Sequence, residues 1–299
     1  MSAFSAQAKT LAIVPKITGG LSMLGSSYIF QDVVRTHKKR GNSVYHRILT
    51  GLSVFDFMAS LMNFFSTWPI PRNTYPPVYG AIGTVGTCTA AGFFNEVGNV
   101  CTPIYNASLC IYYVLIIINS WGESRIARYE LWFHIVPNFF AWTIGFVALG
   151  FQTYNNAGWN CWLASYPKGC NAELGQCTRG EHVFIFRWLH YAIIWSAVSV
   201  VTIAMIVIYA SVYIQEKSTA RFTDHRRGSV MRPPPTTQQA NDAGPASLAE
   251  SGGSGRTQKT SKSRKVMEQA FFFCIAMYLT WIFTTVSEIV GKISNQERF

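Results

Sequence analysis

Charge is what this sequence has least of. Only 13% of its 299 residues are Asp, Glu, Lys or Arg, about half the ~25% of an ordinary soluble domain. So little charge cannot clothe a soluble globule of 33.5 kDa. With 49% hydrophobic and 15% aromatic residues, the chain is also no disordered protein or nucleic-acid-binding tail. Acidic residues are especially few, 14 against 25 basic, for a net charge of +11. There is no internal repeat of the kind that pairs broken helices in transporters. The histidines, His37, His46, His134, His182, His190 and His225, have no ligand spacing. No metal, cofactor or catalytic residue is therefore expected, and the chain reads as a non-enzyme.

Long apolar runs are what it does have. Blocks of roughly twenty residues, each long enough to cross ~30 Å of hydrocarbon as a helix, fall at 11–33, 48–68, 86–121, 131–151, 183–214 and 267–290. The expected fold class is an all-α transmembrane helix bundle with six spans. The first block carries Lys16, and the second is closed by Pro69 and Pro71, which cannot continue a helical ladder. The third is too long for a perpendicular span and suits one long tilted helix containing Asn95, Glu96, Asn99 and Asn106. The first is too long for a cleaved signal core and precedes its positive cluster, as an N-out signal anchor does.

Basic residues in alternate connections set the expected orientation. Seventeen Lys and Arg fall between blocks one and two, three and four, and five and six, against seven on the other side. By the positive-inside rule the N-terminus is outside. The expected organisation is an extracellular N-terminus at 1–10, spans one to five with their loops at 11–217, a cytoplasmic loop at 218–262, the sixth span at 263–290 and an extracellular end at 291–299. The 218–262 loop, with Arg232-Pro233-Pro234-Pro235 and Ser251-Gly252-Gly253-Ser254-Gly255, reads as disordered. Its positive charge favours the anionic lipids of an inner leaflet. Arg226-Arg227-Gly228-Ser229 makes Ser229 a candidate phosphorylation site for a basophilic kinase.

Cys101, Cys110 and Cys274 fall within spans, where small apolar packing is the plain reading. Cys88, Cys161, Cys170 and Cys177 all fall on the predicted outer side, where disulfides persist. Four cysteines allow three pairings, and Cys88 with Cys161 and Cys170 with Cys177 is the one favoured. The lone sequon, Asn106-Ala107-Ser108, lies inside a span, out of reach of glycosylation.

Charged groups inside spans need partners or water. Asp56, mid-span in the second block, is a candidate switch or ion site if it is not a helix-to-helix hydrogen bond. Glu96, Asn99, Arg187, His190, Trp281 and Glu288 fall in the outer halves of the third, fifth and sixth spans, a polar and aromatic mixture of the kind that lines a ligand cavity.

The chain resembles seven-helix G-protein-coupled receptors, and among them the slime-mould cyclic-AMP receptor type with its diatom-like relatives. The resemblance is carried by Leu21-Ser22-Met23-Leu24-Gly25-Ser26-Ser27, by Leu52-Ser53 to Asp56-Phe57, and by Gly92-Phe93-Phe94 with Tyr105-Asn106 to Tyr112-Tyr113. Cys161-Trp162 and Thr280-Trp281 complete it. It implies a plasma-membrane receptor that binds an extracellular small molecule or peptide and promotes nucleotide exchange on a heterotrimeric G protein. Arg125, Arg128, Lys217, Arg264 and Lys265 would then meet the G protein on the inner rim. The third span ends Asn119-Ser120-Trp121-Gly122-Glu123-Ser124-Arg125, without the Asp/Glu-Arg-Tyr triplet of rhodopsin-like receptors, and no proline follows Trp281. A seventh span is expected to be missing after Phe299. The competing expectations are a multispanning transporter or channel, or a truncated receptor that acts as a decoy without signalling.

Overall fold

The computed structural model describes residues 5–40, 43–75, 77–168, 170, 175–230, 275, 278, 279 and 282. Its elements are α1 (Ala6–Arg40), α2 (Val44–Phe65), α3 (Val85–Ile117), a short α4 (Glu123–Ala127), α5 (Glu130–Gly150), strands β1 (Tyr154–Asn156) and β2 (Cys161–Leu163), and α6 (Val183–Val230). Among the described residues, four helical segments are long and apolar enough to cross a membrane: Val44–Phe65, Val85–Ile117, Glu130–Gly150 and Val183–Gln215. They correspond to the second to fifth apolar blocks.

Helix boundaries follow local chemistry. Ser43 caps α2, its hydroxyl accepting from the His46 amide at 3.4 Å. The helix stops at Phe65, before the prolines, because Ser66 turns to φ 49°. At the start of α3, Thr84 and Thr87 cap each other, with Thr84 N–H on Thr87 Oγ1 at 2.7 Å and Thr87 N–H on Thr84 Oγ1 at 3.2 Å. This is the reciprocal geometry of a capping box, with threonine in the glutamate's place.

One element is less apolar than expected, and one expectation needs correction. The first block is helical, but α1 falls outside the segments apolar enough to span: Lys9, Lys16 and a run of Gly, Ser and Thr dilute it. And α6 does not end near residue 214. It continues to Val230, so the first part of the loop expected to be disordered is helix. No proline or glycine interrupts the chain from Val183 to Arg227, so nothing there breaks the ladder. The rest of that loop lies outside the described residues, as do most of the sixth block and the 291–299 end; Ile275, Tyr278, Leu279 and Ile282 are helical.

The chain divides into two units. The first comprises Met1–Tyr112 and Trp121–Val201. In it α1 lies against α2 so closely that a Cβ on Gly19 would meet Phe64 N at 2.7 Å and Ser60 O at 2.8 Å. The same small-residue contact recurs where Gly98 of α3 meets Ala59 of α2, at 2.8 Å from a built Cβ. The β1–β2 hairpin pairs antiparallel, Tyr154 with Leu163 and Asn156 with Cys161. Ser66 Oγ donates to Trp159 O at 2.9 Å and Asn156 Nδ2 to Thr74 Oγ1 at 3.1 Å, tying the hairpin to the α2–α3 connection. The second unit comprises Tyr113–Ser120 and Thr202–Phe299, and within it Thr202 and Tyr278 share a hydroxyl hydrogen bond.

Candidate functional site: a buried Glu–His–Trp cluster

Cys88 and Cys161 form a disulfide across 73 residues, and Cys170 and Cys177 a second across 7. This is the favoured pairing. The first bond joins the start of α3 to β2 and packs against buried Ile70. It thereby fixes the next residue, Trp162, over the upper part of α3.

There Glu96 is fully buried and accepts two hydrogen bonds. His190 Nδ1 lies 2.8 Å from Oε1, and Trp162 Nε1 donates to Oε2 at 2.6 Å. His190 is only 2% exposed. The Trp162 indole meets the His190 ring edge-to-face at 5.0 Å and Tyr191 at 6.3 Å. Arg187, one turn before His190 on α6, donates through Nε and Nη2 to Leu163 O at 2.9 and 2.7 Å. Its guanidinium stands 5.7 Å from the indole centroid. Tyr154 fills the space beside Gly92, and its hydroxyl donates to Gly145 O at 3.1 Å. Burial, reinforced by the charge of Glu96, pushes the Tyr154 phenol far above its ordinary range, so it remains a neutral donor.

Three elements thus converge on one carboxylate: α3 supplies it, while the hairpin and α6 supply its donors. A buried acid is tolerable only when so partnered. Any shift of α6 or of the hairpin that lengthens one of these bonds leaves a buried polar group exposed to apolar surroundings, so the cluster links the positions of all three elements. Of the residues singled out in the sequence, Glu96 and His190 are in contact, and Arg187 stands beside the same indole. Asn99 is not part of the cluster; it donates to Asn95 Oδ1 on its own helix at 3.1 Å. Trp281 and Glu288 lie outside the described residues. An open cavity of about 350 Å³ lies elsewhere, beside Phe151, Arg179, Glu181 and His182.

No protein-family model matches the chain, and no curated protein matches it.

The other candidates separate from this cluster. Asp56 accepts from Ser26 of α1, and Ser60 donates to Ser22 at 2.7 Å. Lys16 donates to Phe65 O at 2.8 Å and lies over the Trp68 ring. These polar groups fasten α1 to α2. Arg125 lies over Trp121 at 4.1 Å, Arg128 is exposed, and Lys217 is exposed on α6. Ser229 falls in α6, and Arg264 and Lys265 lie outside the described residues. Among the described residues no group of His, Cys, Asp and Glu could hold a metal ion.

One cluster had no counterpart in the sequence reading. Arg47 of α2 pairs with Glu130 of α5, and Glu130 lies 3.8 Å from His134 Nε2. His134 Nδ1 lies 3.1 Å from Tyr105 OH, which accepts from Asn138 Nδ2 at the same distance. Glu123 accepts from the Val44 amide at 2.5 Å and from Tyr112 OH at 3.1 Å. The only sequence signal was a charge at the start of each of two apolar blocks, which topology alone explains.

Proposed function

We propose that the chain is a receptor of the G-protein-coupled type, set in the plasma membrane with its N-terminus outside. A ligand arriving near Glu96 changes how the hairpin, α3 and α6 are held together, and the change is passed along both long helices to a heterotrimeric G protein. The observation that carries this reading is the convergence of α3, the hairpin and α6 on the Glu96 carboxylate beneath the Cys88–Cys161 bond. It is a joint between a loop and two long helices, and a receptor needs such a joint. The residue resemblance to cyclic-AMP-type receptors supports the same reading, as do exposed Arg125 and Arg128 beyond the end of α3. A transporter gains no support from the acids, because Asp56 and Glu96 are each engaged in a separate helix contact.

The test combines topology with complex formation. An N-terminal epitope should be read by antibody on intact cells, and protease should cut the 218–262 region only after permeabilisation. Membranes depleted of nucleotide should then retain a heterotrimeric G protein with the purified chain and release it on adding GTP. An inverted topology, or the absence of any nucleotide-sensitive G-protein complex with cyclic AMP present or absent, counts against the reading.

A further inference from the structure

The Glu96 cluster is complete without any outside molecule, because the chain itself occupies it. The Trp162 indole has its N–H on the Glu96 carboxylate at 2.6 Å, its ring against the His190 edge at 5.0 Å and Tyr191 at 6.3 Å, and the Arg187 guanidinium 5.7 Å from its centroid. An acceptor for one N–H, an aromatic wall and a cation near the ring are the elements that hold a flat aromatic ligand. The indole is also the most replaceable member. Trp162 is half-buried, whereas Glu96 and His190 are sealed, so the slot opens on the indole side. Trp162 sits on a three-residue strand, and Cys161 beside it is bonded to Cys88 of α3, so the hairpin is held to α3 independently of the indole.

We propose that the slot held by Trp162 is a binding site for an indole-like ligand, a planar aromatic ring with one N–H donor, and that Trp162 is its tethered resident occupant. Such a ligand binds by taking over the hydrogen bond to Glu96 as the Trp162 ring swings out. In the absence of ligand, the resident ring holds the hairpin, α3 and α6 in register. This inference rests on the receptor reading in treating the cluster as ligand-facing, but its test does not require a G protein.

Trp162→Ala removes the resident ring and should leave a slot that free indole fills. Binding of indole to the full-length variant in nanodiscs is measured by thermal shift and by displacement of a fluorescent indole analogue. N-methylindole, of similar shape but without the donor, is the comparison probe. Indole is expected to raise the Tm of Trp162→Ala, and N-methylindole to bind roughly ten- to a hundredfold more weakly, the factor for losing a hydrogen bond to a charged group. Wild-type protein should bind indole far more weakly than the variant, since its own ring competes. Equal binding of the two probes, or no binding by folded Trp162→Ala, overturns the proposal. Should the variant fail to fold alone, growth with indole should restore its surface delivery and its Cys88–Cys161 bond where N-methylindole does not. Failure of that rescue is equally contrary. Indole binding without G-protein complex formation would uphold the site and remove the receptor reading; G-protein coupling without indole binding would do the reverse.

Discussion

The hydrogen bond between Trp162 and Glu96 can be measured by a double-mutant cycle. Trp162→Phe keeps an aromatic ring and removes the N–H; Glu96→Gln keeps the side-chain length, and its amide has one acceptor where the carboxylate has two. In wild type, two donors meet one carboxylate at 2.6 and 2.8 Å. Glu96→Gln leaves one of them without an acceptor, at a cost of roughly 1–3 kcal/mol for a buried group. Hydrogen bonds between membrane helices measure lower, about 0.6 kcal/mol on average and up to about 1.7. Because this carboxylate is fully buried, the coupling should lie near the upper figure, at about 1–2 kcal/mol. The assay is reversible unfolding in mixed micelles titrated with SDS, on wild type, both single variants and the double variant. The double variant should be less destabilised than the sum of the singles by that amount. Additivity within about 0.5 kcal/mol, the usual result for independent sites, would show that the bond does not couple the hairpin to α3.

Three further outcomes are expected. In the chain-entropy model the Cys88–Cys161 loop, spanning 73 residues, gives roughly 4 kcal/mol and the 7-residue Cys170–Cys177 loop roughly 2; Cys88→Ser should therefore lower thermal stability more than Cys170→Ser, and the opposite order would contradict the assignment. Gly19→Val should cost about 1–3 kcal/mol by overpacking, because the new Cβ meets α2 backbone at 2.7 and 2.8 Å; an unchanged unfolding midpoint would show that α1 is not seated on α2 there. Asp56→Asn keeps an acceptor for Ser26 and should accumulate in membranes at wild-type yield, whereas Asp56→Leu removes it and should not; equal yields of detergent-extracted, folded protein would show that contact to be idle.

Apolar length made α2, α3, α5 and the first part of α6 readable from the sequence, because a span needs a long apolar run, and Pro69 and Pro71 marked the end of α2. α1 was readable as a helix but not in its apolarity, since Lys16 and the Gly/Ser stretch give it a polar face that only α2 explains. The extent of α6 past Gln215 was hidden because a basic, polar sequence reads the same whether helical or not until a proline or glycine appears. In the site, Glu96, Arg187 and His190 stood out as charged or titratable groups in apolar surroundings. Trp162 did not, because its role depends on a contact with Glu96 across 66 residues of sequence. The Arg47–Glu130 pair, 83 residues apart, was invisible for the same reason. The cysteine pairing was legible only in part: the expected topology grouped four of the cysteines, which left three pairings, and the structure contains the favoured one.

Nucleotide exchange tests the receptor reading most directly. The chain is reconstituted with purified heterotrimeric G protein, and GTPγS uptake is followed for wild type, Glu96→Gln and His190→Phe at equal density. Wild type should accelerate uptake above empty membranes, and both variants, folded and with the Cys88–Cys161 bond intact, should change that rate. Uptake equal to that of empty membranes across a panel of G proteins, with or without cyclic AMP and indole, would contradict it.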